Sequence, residues 1–337
     1  MKKIYIKTTE ACNLRCKHCY IGDNRQKTAF FNEDQTISWL LKYKKIHNED
    51  LYISFHGGEP FLAPLNKLEK VCKTLTDCKF DATSNLLLVN EDIIKFIKQY
   101  FKDDNGAPFI KTSWDWKIRF NLNQERLWIN NVKQLLNNGI NVKVNICLTK
   151  LLIKDWKPLD LINYIYNLGI KEIHFERLSY NTTEDKSLIP DYDDQDKWML
   201  DFYLVNNKLI VDNFLELQYA ADGIFIDCRK RQCMNNVVTI NADGTIGGCP
   251  NTSIKDWYTT IYKEPDISLC SKHCELIDKE KKRMPQCYYC DLYQICNGDC
   301  CQLTWIDGKC PAFKRLMRKI KNDVDMERQK KISLSYL

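Results

Sequence analysis

Residues 3–8, Lys-Ile-Tyr-Ile-Lys-Thr, alternate polar and apolar side chains, the period of a half-buried strand. A helical pattern follows over 33–47. Leu51-Tyr-Ile-Ser-Phe-His56 then reads as a second strand, ending in Gly57-Gly58-Glu59-Pro60. The pattern repeats, with helices over 64–77, 91–101, 124–138 and 155–168 and strands near 79–84, 109–114, 141–148 and 171–176. Strands separated by single helices at about 30-residue spacing imply parallel βαβ units. Six such units predict an α/β fold, a partial (β/α)6 TIM-like barrel. In that architecture chemistry gathers at the C-terminal ends of the strands. The loop after the first strand and the Gly-Gly-Glu turn after the second both lie there.

Beyond about residue 215 the pattern changes. Val237–Asn241 and Thr245–Gly247 flank Ala242-Asp243-Gly244, a hairpin signal. Cysteines and short loops follow, with too few aliphatics for an ordinary core. A segment of this kind needs a staple, and metal supplies one. The chain therefore divides into a barrel over 1–215, a small cysteine-rich α+β domain over 216–313, and a basic helical tail over 314–337.

The 337 residues suffice for a sizeable core. No run approaches the ~20 apolar residues of a membrane helix. The start, Met-Lys-Lys-Ile-Tyr-Ile-Lys, lacks the apolar core of a secretion signal, so the expected location is the cytoplasm. Net charge is +6, much of it from Lys314, Arg315, Arg318, Lys319 and Lys321. Such a cluster reads first as a solvated helix face and only second as a nucleic-acid site. The 17 cysteines change the picture more. Disulfides are disfavoured in a reducing compartment, so a cysteine-rich chain there points to metal. Cys12, Cys16 and Cys19 form one group and eleven more lie between Cys228 and Cys310. Cys72, Cys78 and Cys147 read as small core residues without a role.

The first group reads Cys12-Asn-Leu-Arg-Cys16-Lys-His-Cys19. Two plain readings compete. The three positions would share one face of a helix, or they would bind zinc with His18 as a fourth ligand placed awkwardly between two others. Three thiolates on a four-iron cubane would instead leave one iron open for a substrate or cofactor. The Cys-x3-Cys-x2-Cys spacing after the first barrel strand resembles the signature of the radical S-adenosylmethionine (SAM) superfamily. Gly57-Gly58-Glu59-Pro60 after the second strand resembles it too. The resemblance implies a [4Fe–4S] cluster on Cys12, Cys16 and Cys19, and SAM facing Gly57, Gly58 and Glu59. Physically, an exposed backbone edge and one carboxylate suit the methionyl ammonium. It further implies SAM contacts from Ser113 at the end of the fourth strand, from Asn85 toward the ribose, and from Arg119 or Arg126 to the carboxylate. A guanidinium binds carboxylates bidentately.

The second group runs Cys233, Gly244, Cys249, then Cys287-x2-Cys290-x5-Cys296-x3-Cys300 and Cys310. This string resembles the SPASM domain of radical SAM peptide-modifying enzymes. The resemblance implies two auxiliary [4Fe–4S] clusters. One would sit on Cys228, Cys233, Cys249 and Cys300, the other on Cys287, Cys290, Cys296 and Cys310. Four cysteines per cluster match iron–sulfur coordination, while Cys287-Tyr-Tyr-Cys290 alone also suits zinc. Cys270, Cys274 and Cys301 are left over.

The implied activity is reductive cleavage of SAM and hydrogen abstraction from a ribosomally made peptide or protein side chain, giving a crosslink or an oxidation. Implied partners are the peptide substrate and an electron donor such as flavodoxin or ferredoxin. Cys12 lies so near Met1 that no peptide-recognition domain is expected ahead of it; if a leader peptide is bound, a separate protein or the barrel itself is expected to bind it. Sulfatase-maturing members usually carry Asp just after the second SPASM cysteine; here it is Pro250. Two other functions stay in view: a radical SAM enzyme acting on a nucleotide or modified DNA base, and a zinc-binding interaction protein without catalysis.

Overall fold

A computed structural model describes residues 2–22, 29–180, 183 and 185–335, without the side chains of 227, 228, 269 and 332–335. The chain alternates β1 (Lys2–Thr9), α1 (Glu33–His47), β2 (Leu51–Gly57), α2 (Leu65–Thr74), β3 (Lys79–Ser84), α3 (Glu91–Tyr100), β4 (Phe109–Ser113), α4 (Leu122–Asn137) and β5 (Asn141–Leu148). It continues through α5 (Lys150–Asp155), α6 (Pro158–Asn167), β6 (Glu172–Arg177), α7 (Tyr192–Val205), β7 (Ile210–Val211) and α8 (Asp212–Ala221). The last part holds α9 (Cys233–Asn236), β8 (Val237–Ile240), β9 (Thr245–Gly247), β10 (Trp257–Thr260), α10 (Ser271–Lys281), α11 (Tyr293–Cys296) and α12 (Lys314–Ser335).

Strands β1 to β6 are parallel neighbours in chain order, the partial barrel expected from the alternation. Helix starts follow local capping chemistry. Asn32, Asn90 and Asn121 each accept a backbone N–H of the first turn, and Asn121 with Gln124 forms a reciprocal capping box. One boundary differs from the sequence reading. The helix expected over 155–168 starts only at Pro158, which occupies the first position of α6 and holds Lys157 extended, and a separate short helix α5 precedes it. Thr149 caps the short α5 before it.

The cysteine-rich part does not stand apart from the sheet. Strand β8 pairs in parallel with the free edge of β1, from Lys3↔Val237 to Ile6↔Ile240. Strands β9 and β10 then add on antiparallel, so one sheet runs β10-β9-β8-β1-β2-β3-β4-β5-β6-β7. Helix α12 covers α7 and α8, burying Leu316, Met317 and Ile320.

The parallel strands share register, so alternate residues line opposite faces of the sheet. One face is apolar and buried beneath helices: Ile4, Ile6, Ile53, Phe55, Val144 and Phe175, among others. The other face, the barrel lumen, is polar. It carries Tyr5 and Lys7 on β1, Ser54 and His56 on β2, Asp81 on β3, Lys111 on β4, Lys143 on β5 and His174 on β6. Ion pairs knit it together, Asp81 with Lys111 and Lys143 with Asp212, and His174 Nε2 lies 3.6 Å from Glu176 Oε1.

Candidate functional site

The loop after β1 carries Cys12, Cys16 and Cys19 at the C-terminal mouth of the barrel. It is not helical, which removes the helix-stripe reading. Its internal bonds include Leu14 N–H to Cys12 Sγ at 3.4 Å, Arg15 Nη1 to Cys12 O at 2.6 Å and to Leu14 O at 2.9 Å, Cys19 N–H to Cys16 O at 3.3 Å and Gly22 N–H to Cys19 O at 3.4 Å. Burial pushes the Cys12 thiol up to about 11, with Glu59 and the neighbouring Cys16 and Cys19 thiols adding to the rise. Iron binding needs thiolates, so loading this loop releases protons.

The Gly-Gly-Glu turn is built onto the same loop. Gly58 N–H donates to Thr9 O at 2.9 Å and Glu59 N–H to Ala11 O at 2.8 Å. A Cβ on Gly57 would meet Thr9 O at 2.2 Å, and one on Gly58 would meet Ala11 O at 2.0 Å. Both glycines are thus required by backbone approach. The exposed edge expected from the sequence is narrower in the structure, since Gly57 and Glu59 are buried and Gly58 is half-buried. The Glu59 carboxylate accepts from Ser84 Oγ at 2.8 Å, Asn85 N–H at 2.7 Å and Phe61 N–H at 3.2 Å. Burial outweighs these donors and pushes its carboxyl up to about 7.

Asn85 also reaches the cysteine loop, donating to Asn13 Oδ1 at 2.6 Å, with Cys12 Sγ 3.9 Å from the same nitrogen. Ser113 is half-buried at the end of β4, in register with Asn145. Arg119 lies close to Cys16 electrostatically, yet its Nε donates to Asp115 Oδ2 at 2.6 Å.

Sequence reasoning passed over several residues here. Lys7, on the lumen face of β1, is fully buried, and its ammonium has no hydrogen-bond acceptor among the described residues. It lies 5.1 Å over the Tyr20 ring. Burial pushes its pKa down to about 8, against the pull of Glu10, Cys249 and Cys19. The alternation of β1 placed it on the polar face; its isolation from any acceptor has no sequence signal. Asp115 gathers His18 and Cys147 around it, the one set among the described residues with three close potential metal donors, all within 4.8 Å. Cys147 lies on the lumen side of β5 and packs against the small apolar cluster of Ile118, Leu178 and Leu188, while Cys72 and Cys78 join the main core. A cation does not suit this cluster. Both Asp115 oxygens are occupied, by Cys147 N–H at 2.7 Å and by Arg119, and the guanidinium repels a metal ion.

The second group of cysteines also converges. Cys287, Cys290, Cys296 and Cys310 line one cavity with Leu292, Trp305 and Met317. Burial pushes Cys296 up to about 12, Asp299 and Cys310 adding to it. Cys249 is likewise pushed up to about 12 by burial and by the nearby Cys300 and Cys233 thiols. The Cys228 side chain, the implied partner of these three, lies outside the described residues. Of the leftover cysteines, Cys301 neighbours Cys300, Cys270 donates to Tyr258 O at 3.0 Å, and Cys274 is exposed. Every described cysteine is a free thiol.

Comparison with known proteins adds identity to this geometry. Residues 6–157 match the Radical SAM superfamily. The radical SAM cyclopropyl synthase TigE of Paramaledivibacter caminithermalis is 22% identical over 98% of this chain and 75% of that protein. The S-adenosylmethionine-dependent nucleotide dehydratase of a Fibrobacter species is 22% identical over 64% of this chain and 74% of that protein. The solved structure of native anSMEcpe with bound AdoMet and Cp18Cys peptide has the same fold. Its TM-score is 0.76 at 16% identity, covering 99% of both chains. The matched segment, just under half of the chain, runs from β1 through the cysteine loop and the Gly-Gly-Glu turn to just past α5, so residues 6–157 form a radical SAM domain, of a fold that implies a [4Fe–4S] cluster and SAM.

Proposed function

We propose that the chain modifies a side chain of a ribosomally made peptide. The carrying observation is a three-cysteine loop at the mouth of a barrel whose lumen face is polar and charged. Barrel interiors are usually filled with branched aliphatics. A polar lumen suits a hydrated, functional-group-rich substrate such as a peptide segment. A relative named as a cyclopropyl synthase and a like-folded protein with peptide bound support the same class.

In this reading Cys12, Cys16 and Cys19 hold the catalytic cluster. Gly57, Gly58, Glu59, Asn85, Ser113 and Arg119 form the shell against which SAM lies. Held there, the cluster and SAM would supply the reductive SAM cleavage and hydrogen-atom abstraction that the resemblance implies. Cys228, Cys233, Cys249 and Cys300, and the cavity set Cys287, Cys290, Cys296 and Cys310, would each close an auxiliary cluster with four thiolates, which suits electron transfer away from the substrate. A flavodoxin or ferredoxin donor and a cytoplasmic setting follow from this chemistry. No helix of the described residues is long and apolar enough to cross a membrane.

The test is anaerobic incubation with SAM, a reductant and peptides encoded beside the gene, read by mass spectrometry. Both 5′-deoxyadenosine and a peptide mass change are expected. Neither should form in a variant with Cys12, Cys16 and Cys19 all changed to Ala. A second reading, chemistry on a nucleotide, is favoured by the nucleotide dehydratase relative. The basic helix gives it little support, because Arg315, Arg318, Lys319 and Lys321 are each paired with an aspartate. Modification of nucleotides but of no peptide would decide for it.

A further inference from the structure

The cysteine loop is tied to the rest of the barrel at several points. The Gly-Gly-Glu turn and Asn85 hold its first part. The turn after β4 holds its second part. Lys17 N–H donates to Ile118 O at 3.3 Å, and His18 Nε2 lies 3.2 Å from Asp115 Oδ2. Both residues lie between Cys16 and Cys19. The Asp115 side chain is fully buried, and those of His18 and Arg119 are nearly so. Asp115 is itself held from three sides: by Cys147 N–H on Oδ1, by Arg119 on Oδ2, and by its carbonyl, which accepts Ile118 and Arg119 N–H groups at 3.3 Å. The guanidinium keeps the buried carboxylate charged, and its pKa stays well below the usual range although burial opposes this. The ionised group therefore offers His18 a rigid acceptor.

We propose that Asp115 is a positioning residue for the catalytic cluster, holding His18 so that the thiolates of Cys16 and Cys19 are set for iron. Arg119 belongs to this clamp as the charge partner of Asp115. Outer partners that orient metal ligands typically govern affinity by 10–100-fold. The inference rests on the radical SAM reading of Cys12, Cys16 and Cys19.

Asp115→Asn tests it with little change of volume. The amide oxygen can still accept from Cys147, but the amide nitrogen then faces Arg119 and His18, donor against donor. His18→Phe keeps a planar ring and removes the nitrogen. Reconstituted wild type and both variants are compared anaerobically by iron release to a chelator and by the electron paramagnetic resonance change that SAM induces in the reduced cluster. Both variants should lose one cluster's iron about tenfold faster and show an altered SAM-dependent spectrum. The double variant should be no worse than either single one. Wild-type release and spectra in Asp115→Asn would overturn the inference. So would a wild-type His18→Phe beside a defective Asp115→Asn, since Asp115 would then not act through His18. Equal acceleration of all iron loss would mark a general structural role and also refute it. If the triple Cys12, Cys16 and Cys19 to Ala variant binds as much iron as wild type, the underlying cluster reading fails instead.

Discussion

Asp81 and Lys111 face each other on the polar side of β3 and β4, with Tyr52 OH donating to the same carboxylate at 2.7 Å. The aspartate side chain is fully buried and the lysine largely so. Burial alone would raise the Asp81 pKa; Lys111 and Lys3 overcome it and hold the carboxyl below its ordinary value. A lowered native pKa contributes stability that is present above the unfolded value near 4 and is lost as pH falls through the native one. Asp81→Asn removes that acid dependence. It also strands the Lys111 ammonium, so unfolding at neutral pH should become easier by about 3–5 kcal/mol. Asp81→Asn with Lys111→Met should recover most of the loss, because an apolar pair of similar volume replaces a desolvated one. Urea titrations at pH 7 and at a pH well below 4 measure both effects. A single variant as stable as wild type would mean that water already screens the pair.

The turn after β2 shows how an element, rather than a residue, shapes the site. Its two glycines let the chain press against Thr9 and Ala11 at distances no Cβ permits. Gly58→Ala should therefore cost about 1–3 kcal/mol and displace the cysteine loop, lowering the iron held there. Gly106→Ala is the control: its φ is +80°, but nothing lies within 4 Å of a new Cβ, so stability drops slightly and iron content stays. Iron analysis of the two variants separates these outcomes. Strands β1 to β6 and helices α1 to α4 were legible in the sequence because period and caps are local signals. Cys287, Cys290, Cys296 and Cys310, which line one cavity, had already been grouped by the resemblance that their spacing carries. The His18–Asp115 clamp was not, because a buried charge pair between distant segments leaves no periodic trace. The pairing of β8 with β1 was also hidden. A hairpin signal says nothing about which sheet edge it will join.

Across the whole molecule the two cysteine regions are fastened to one frame. Strand β8 extends the barrel sheet, while Arg177 at the end of β6 grips Asp299 with bonds of 2.8 and 2.6 Å and also reaches Pro311 O. Ser179 and Tyr192 donate to Gln302 O and Thr304 O. Asp299 is buried, and Arg177 holds its carboxyl well below the ordinary range against burial. Arg177→Met removes the guanidinium that grips Asp299, leaving Arg229 as a remaining nearby charge, and should cost up to about 3–5 kcal/mol, with iron lost from the cysteine-lined cavity ahead of the front loop. Iron removal should have a regional effect too. Strands β1 to β6 are held by an apolar face packed under helices, and β8 shares backbone bonds with β1. Around the four cysteines of the cavity, by contrast, local order rests on short helices and turns such as α11, with Leu292 and Ile295 as its small apolar share. Such a segment relies on its metal staple. Chelation of the reconstituted protein should therefore raise amide hydrogen exchange across 284–310 while β1 to β6 and 237–240 keep their protection. Exchange that rises equally across the barrel would show that the metal stabilises the whole fold. Unchanged exchange over 284–310 would show that thiol packing alone holds the segment.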